Sequence, residues 1–228
     1  MFAIVRFIHK ADIGDRNLFA FEIVDCEVSL YQMPMISAGY LYKNVEQTPN
    51  WLKPGLDHVL EVCSASSCVS ENTISPDDGW KHNGFGFANS EQVLIELNKK
   101  NQVDLSEARL FYYEAYEQEL DSDGREFKKT SWRPVSPLPS AGVETNVEEP
   151  IASARLELLG YDVVNGEDYL FCSPLSCNSK AKELLVNEHC LFDDLASAIR
   201  TTEDGSFQGC SQGIYRIFSV HSVAKQKT

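Results

Sequence analysis

Apolar and polar residues alternate along much of this chain, and the pattern predicts more strand than helix. Residues 2–9 and 18–24 are rich in β-branched and aromatic side chains, which is typical of strands. Residues 110–120 and 126–134 form a second pair, joined at 121–124 by the turn-forming run Asp-Ser-Asp-Gly. These segments predict antiparallel hairpins.

Two segments show helical spacing instead. The first begins at Asn89 or Ser90 and ends near Asn101, and the second begins at Asp193 and ends near Gly205. Their predicted buried faces consist of Val93, Leu94 and Leu97 in the first helix and of Leu195, Ala198 and Ile199 in the second. Strands and helices in separate runs predict an α+β class.

Six landmarks occur twice, in the same order and at offsets of 102 to 109 positions. The hexapeptide C-S-x-x-S-C occupies 63–68 and 172–177. The other pairs are Ser37 with Ser140, Asn44 with Asn146, Gly55 with Gly160, Phe87 with Phe192, and Arg109 with Arg216. The order predicts an internally duplicated α+β fold, with two mostly antiparallel β units that each carry one main helix and are related by a pseudo-twofold axis.

The predicted repeat units are 1–118 and 119–228, either separate or packed as one compact pseudo-symmetric body. Pro134, Pro137 and Pro139 form the best linker candidate between the halves. A seam between two similar halves is a natural place for a cleft.

The net charge of −14 changes the range of expected partners. Nine basic and sixteen acidic residues lie up to Glu114, and eleven and eighteen lie after it, so each half carries −7. A nucleic-acid binder normally presents a basic face, and an anionic membrane would repel this surface. No apolar run reaches the roughly 20 residues that span a bilayer, and the first residues lack a signal-peptide pattern. We expect a cytoplasmic protein whose partner is another, possibly basic, protein.

The two hexapeptides leave four interpretations open, and seven cysteines in a cytoplasmic chain favour reduced thiols. Each hexapeptide could form a tight structural turn, because serine hydroxyls bond backbone groups readily. It could instead close a disulfide. Cys63, Cys68, Cys172 and Cys177 could together bind zinc, the one cofactor considered, although no metal site is the first expectation. Finally, Cys172 or Cys190 could be a reactive thiol.

No catalytic motif stands out, so the leading hypothesis is a non-enzymatic acidic binding or inhibitor protein, of a regulatory or immunity-like kind. The alternative is an enzyme or metal-binding protein with a Cys/His site at the seam between the repeats. The candidate binding residues combine loop aromatics with thiols and a histidine: Trp80, Phe85, Phe87, Cys172, Cys177, His189 and Cys190.

Overall fold

The computed structural model describes residues 34–44, 82–100, 102, 105–106, 108–120, 127–140, 146–150, 154–165, 172–210 and 213–224. All of them belong to one compact unit, Met33–Thr228. In chain order the elements are β1 (Ile36–Asn44), α1 (Glu91–Lys100), β2 (Ala108–Leu120), β3 (Phe127–Pro134), β4 (Arg155–Asn165), α2 (Leu195–Glu203) and β5 (Tyr215–Ala224). An antiparallel sheet with two helices is the α+β class that the sequence predicts.

The strands form one sheet in the order β1-β2-β5-β4, and β3 pairs with β2. Every neighbouring pair is antiparallel. At the centre, Tyr113 of β2 lies opposite Val220 of β5. The predicted boundary at 118/119 falls inside β2, and the division into two repeat units stays a prediction.

Both helices pack on the same face of the sheet. Successive residues of a strand point to opposite faces, so β2 supplies one set of side chains to the helices and another to the opposite side. The cluster around α1 contains Leu94, Tyr40, Tyr42, Leu110 and Tyr112. The cluster around α2 contains Ala198, Ile199, Tyr116, Val163 and Ile217. The opposite face is covered by aromatic residues that include Phe85, Phe87, Phe111, Tyr113 and Phe218.

A glycine bulge interrupts each outer strand. The pairing register shifts between Ser37 and Gly39 in β1, and between Leu158 and Gly160 in β4. The φ angles of the two glycines are +139° and +144°, values that residues with a Cβ atom rarely adopt. A Cβ on Gly160 would also lie 2.7 Å from the carbonyl oxygen of Phe192.

An asparagine holds the loop that crosses each bulge. Asn83 Nδ2 donates to the carbonyl of Ala38 at 2.9 Å, and its Oδ1 accepts from the backbone N–H groups of Phe85 and Phe87. Asn187 Nδ2 likewise donates to Leu159 O at 2.8 Å. Its Oδ1 accepts from the N–H groups of His189 and Leu191.

The loops then pair with the outer strands before the helices begin. Tyr40 exchanges backbone hydrogen bonds with Ala88, and Tyr161 does so with Phe192. Each helix is capped by the residue before it, since Ser90 Oγ accepts from Val93 N and Asp194 Oδ1 accepts from Ser197 N.

Most of the predicted elements within the described residues are confirmed. β2 and β3 form the predicted antiparallel pair, and α1 and α2 lie within the predicted ranges. The prediction that Val93 lies on the buried face of α1 is wrong, because Val93 is 37% exposed, whereas Asn98 is fully buried. The strands at 2–9 and 18–24 lie outside the described residues.

We expect Gly160→Ala to lower the free energy of unfolding by roughly 2 to 4 kcal/mol, because it adds a backbone clash to a strained φ. Urea denaturation would measure the loss. Gly205→Ala is the matched control, since Gly205 has a φ of +85° but nothing lies within 4 Å of its Cβ position. The control should lose only about 1 kcal/mol. Equal losses would contradict the close packing at the bulge.

We expect Asp194→Ala to cost about 1 kcal/mol at neutral pH, the value of an N-cap. The backbone hydrogen bond from Ser197 holds the pKa of Asp194 below its usual range. Its stabilisation is therefore present above the unfolded-state pKa and is lost as pH falls through the folded-state pKa. Urea denaturation near pH 7 and pH 3 should show the deficit shrinking at acid pH. Asp193→Ala, next to the cap, should show no such change.

Candidate functional site

The second cysteine hexapeptide, 172–177, forms a hydrogen-bonded turn at the end of β4. Cys172 exchanges backbone hydrogen bonds with Asn165. Ser173 Oγ donates to the buried Asp162 carboxylate at 2.7 Å, and Cys177 N donates to Ser173 O at 2.8 Å. In this copy Ser173 therefore stabilises a turn, as the structural interpretation of the hexapeptide predicts. The first copy, 63–68, lies outside the described residues.

The other candidate residues are divided among different environments. Phe85 and Phe87 are buried in the aromatic cluster beneath the sheet. Cys190 is buried in the α2 cluster, while Cys177 is exposed and His189 is partly buried. Trp80 lies outside the described residues. The structure thus groups the two phenylalanines but sets Cys190 in a different cluster.

The zinc hypothesis stays a prediction, because only Cys172 and Cys177 of its four proposed ligands lie within the described residues. No group of three or more His, Cys, Asp or Glu side chains there is arranged to hold a metal ion. Cys172 and Cys210 are partly buried, Cys177 is exposed and Cys190 is buried. Cys63 and Cys68, the other two predicted ligands, lie outside the described residues.

A polar strip separates the α1 and α2 clusters on the helix-bearing face. We call it the central seam, and it consists of Glu114, Ser219 and His221 together with Tyr112 at the edge of the α1 cluster, with Ser37 and Glu149 beside them. Tyr112 lies opposite His221, and Glu114 lies opposite Ser219, on either side of the central Tyr113–Val220 pair. Sequence reasoning missed these residues. One signal was available in the sequence. Tyr112, Glu114 and Tyr116 are spaced by two residues and so share one face of a strand, and Glu114 is a charged residue between two aromatic ones.

At one end of the central seam, three side chains share a hydrogen-bonded network. The Ser37 and Tyr112 hydroxyls are 2.6 Å apart, and Ser37 Oγ also donates to the Glu149 carboxylate. Tyr112 donates to the other Glu149 oxygen at 3.3 Å. Ser37 and Tyr112 are buried, whereas Glu149 is exposed. Two buried hydroxyl groups therefore hold a carboxylate at the protein surface.

At the other end, Ser219, His221 and Glu114 resemble a catalytic triad in composition but not in geometry. His221 Nε2 lies 3.0 Å from Ser219 Oγ and 3.4 Å from Glu114 Oε2. A serine–histidine–acid relay needs one ring nitrogen for each partner, whereas here Nε2 faces both. Ser219 is also only 1% exposed. This arrangement orders Glu114 and does not activate a nucleophile.

Burial and nearby carboxylates raise the pKa of the tyrosines on this face. Burial raises the pKa of Tyr40 and Tyr112, and the Glu149 carboxylate raises both further. Burial and then Glu114 and Asp194 raise the pKa of Tyr161. The Tyr40 and Tyr112 phenols therefore stay protonated at neutral pH and can donate to Glu148 O and to the Glu149 carboxylate.

Comparison with known protein families, curated proteins and solved structures finds no match to this chain. No helix in the described part of the chain has the length and apolar character needed to cross a membrane.

We expect Tyr112→Phe to show a stability deficit that shrinks above about pH 10. The raised pKa means that the protonated phenol stabilises the fold fully below the ordinary value of 10.0, and that this stabilisation is lost as pH rises towards the folded-state pKa. The wild type should lose up to about 1.4 kcal/mol per pH unit relative to the variant. Urea denaturation from pH 8 to 11 measures this difference. A constant deficit over that range would contradict the prediction.

Proposed function

We propose that this chain is an internally duplicated, non-enzymatic binding or inhibitor protein that holds a basic segment of a protein partner at the central seam. The observation that carries the proposal is the seam itself. It places carboxylates between two helices, on a rigid sheet of buried tyrosines, without a relay that would support catalysis.

The proposed duplication is supported by matched local geometry at the two outer strands. The corresponding pairs are Gly39 with Gly160, Asn83 with Asn187, Gly86 with Cys190, Ala88 with Phe192, and Ser90 with Asp194. Gly86 and Cys190 both have positive φ angles, of 73° and 63°. The two bulge glycines also lie opposite positions of the central strands that are 107 apart, since Gly39 pairs with Tyr113 and Gly160 pairs with Val220.

This correspondence differs in detail from the sequence landmarks. The landmarks pair Gly160 with Gly55, whereas the geometry pairs it with Gly39. They also pair Phe192 with Phe87, whereas the geometry pairs it with Ala88. The landmark pair Arg109 with Arg216 agrees with the strand register, because Tyr113 and Val220 are also 107 positions apart. An insertion between β1 and its loop in one half would account for the unequal offsets.

A basic partner is favoured by the arrangement of charge. Glu114 is about one-third exposed, and Glu149 and Asp194 are exposed. The Glu114 and Glu149 carboxylates accept hydrogen bonds from neighbouring hydroxyl groups, and Asp194 caps α2. A lysine or arginine would therefore meet carboxylates that are already ordered. Preorganised carboxylates bind a cation at a smaller entropic cost than mobile ones. The overall charge of −14 would steer such a partner towards the chain.

The alternative hypothesis is an enzyme or metal-binding protein with a Cys/His site at the seam between the two repeats. The zinc form of this hypothesis depends on the thiols of both hexapeptides. Metal analysis of the purified chain and of Cys172→Ser tests it directly, because zinc that is present in the first and lost in the second would support it.

We expect a fluorescently labelled lysine–glycine peptide to bind the chain at low salt and to dissociate as salt rises. Glu114→Gln and Glu149→Gln should each weaken binding by about twofold to fivefold, the size of a solvent-accessible ion pair. Fluorescence anisotropy would measure the affinities.

Glu188→Gln is the matched control, since Glu188 is an exposed glutamate outside the central seam. It should change the affinity little. Equal weakening by all three variants, or affinity independent of salt, would overturn the proposal that the seam is the binding site.

A further inference from the structure

A groove lies on the face of the sheet opposite the helices. We call it the arginine groove, and it encloses about 370 Å³ between the end of β3 and the loop at Gly84. Its lining includes Phe85, Glu117, Arg133, Val135, Leu138 and Arg216. This volume is at the lower end of the range for small-molecule pockets, which is roughly 300–1,000 Å³.

Three charged residues form a row across the floor of the groove. Arg133 of β3, Glu117 of β2 and Arg216 of β5 are direct cross-strand partners. Arg133 Nη2 lies 2.9 Å from one Glu117 oxygen, and Arg216 Nε lies 2.7 Å from the other. One carboxylate cannot neutralise two guanidinium groups, so the row carries a net positive charge. This is unexpected in a chain whose net charge is −14.

The two arginines are not equivalent. Arg216 has a side chain only 12% exposed, and its guanidinium lies 5.4 Å from the Phe85 ring centroid. It is fixed by the carboxylate and by a cation–π contact. The Arg133 side chain is 56% exposed and contacts Glu117 through Nη2. Arg133 is therefore the cation that an incoming anion can reach.

Val135, Leu138 and Pro139 form the apolar part of the groove wall, and Ser136 and Ser140 lie beside them. Gly84 N donates to Leu138 O at 2.7 Å, and a Cβ on Gly84 would lie 2.7 Å from that oxygen. Val135 packs against the aromatic cluster, while the Leu138 side chain is 72% exposed at the rim. A ligand at Arg133 would thus have an apolar surface beside it.

We propose that the arginine groove binds a small carboxylate with an apolar body. The carboxylate would pair with the Arg133 fork, whose planar donors match two oxygens, and the apolar body would lie against Val135 and Leu138. This site is on the opposite face from the central seam and does not depend on the function proposed there.

The test uses benzoate, with benzamide as its uncharged isostere and inorganic phosphate as an anion without an apolar body. Each is titrated into ¹⁵N-labelled full-length protein and followed by heteronuclear NMR. We expect benzoate to shift the amide signals of Gly84 and Phe85 and the side-chain Nε signal of Arg133. Benzamide and phosphate should bind at least about fivefold more weakly.

Arg133→Gln should reduce benzoate affinity by about tenfold, the value of one charge-assisted pair. Arg155→Gln, which removes an exposed arginine elsewhere, should leave it unchanged. Both side chains are exposed, so we expect both variants to fold. Glu117→Gln, checked for an intact spectrum, should strengthen benzoate binding because it removes the competing carboxylate.

Equal shifts from benzoate and benzamide would overturn the proposal, and so would an Arg133→Gln variant that binds benzoate as the wild type does. Phosphate binding as tightly as benzoate would also overturn it, because the apolar wall would then contribute nothing.

Discussion

The two asparagine side chains at the glycine bulges are the contacts on which the rest of the fold depends. Each amide donates to an outer strand and accepts from two backbone N–H groups of the loop above it. One side chain, buried in Asn83 and partly buried in Asn187, thus satisfies three backbone groups that would otherwise lose hydrogen bonds. It also sets where the loop leaves the strand, and so where the following helix begins. The positions of α1 and α2, and the strip left between them, follow from these contacts.

The central seam exists because two hydrophobic cores share one face without merging. Leu110 and Tyr112 belong to the α1 cluster, and Tyr116 and Ile217 belong to the α2 cluster. The positions between them carry Glu114, Ser219 and His221, which hydrogen-bond one another. A polar group in such a place is tolerated only when it is paired or reaches solvent, and here both conditions are met.

If the halves descend from one ancestor, the seam shows why a single chain is useful. Under the proposed twofold axis, Glu114 corresponds to His221, and Tyr112 corresponds to Ser219. Two identical chains would place the same residue at both positions, and two glutamates or two histidines would then face each other across the axis. Joining the halves allows an acid and a base to occupy equivalent positions.

The sequence predicted local elements better than it predicted the site. Periodicity and caps located α1, α2 and the β2–β3 pair, because these depend on residues close in the chain. Composition drew attention to Cys172 and Cys190, yet the first lies in a turn and the second is packed in a core. The arginine groove and the central seam were missed, since both are made by register between distant strands. Glu117 and Arg216 are neighbours only once β2 and β5 are paired.

The backbone bridges at Ala88, Phe192 and Cys172 have a consequence for how copies of this chain behave in solution. Each occupies hydrogen-bonding groups on the outer side of β1 or β4, which end the path β1-β2-β5-β4, while β3 is a further edge strand that pairs with β2. An open edge recruits strands from other molecules and starts aggregation. Here the chain's own loops interrupt that template at Tyr40, Tyr161 and Asn165. Growth of the sheet from one molecule to the next is therefore hindered at these three points, where the edge strand already has a partner from its own chain.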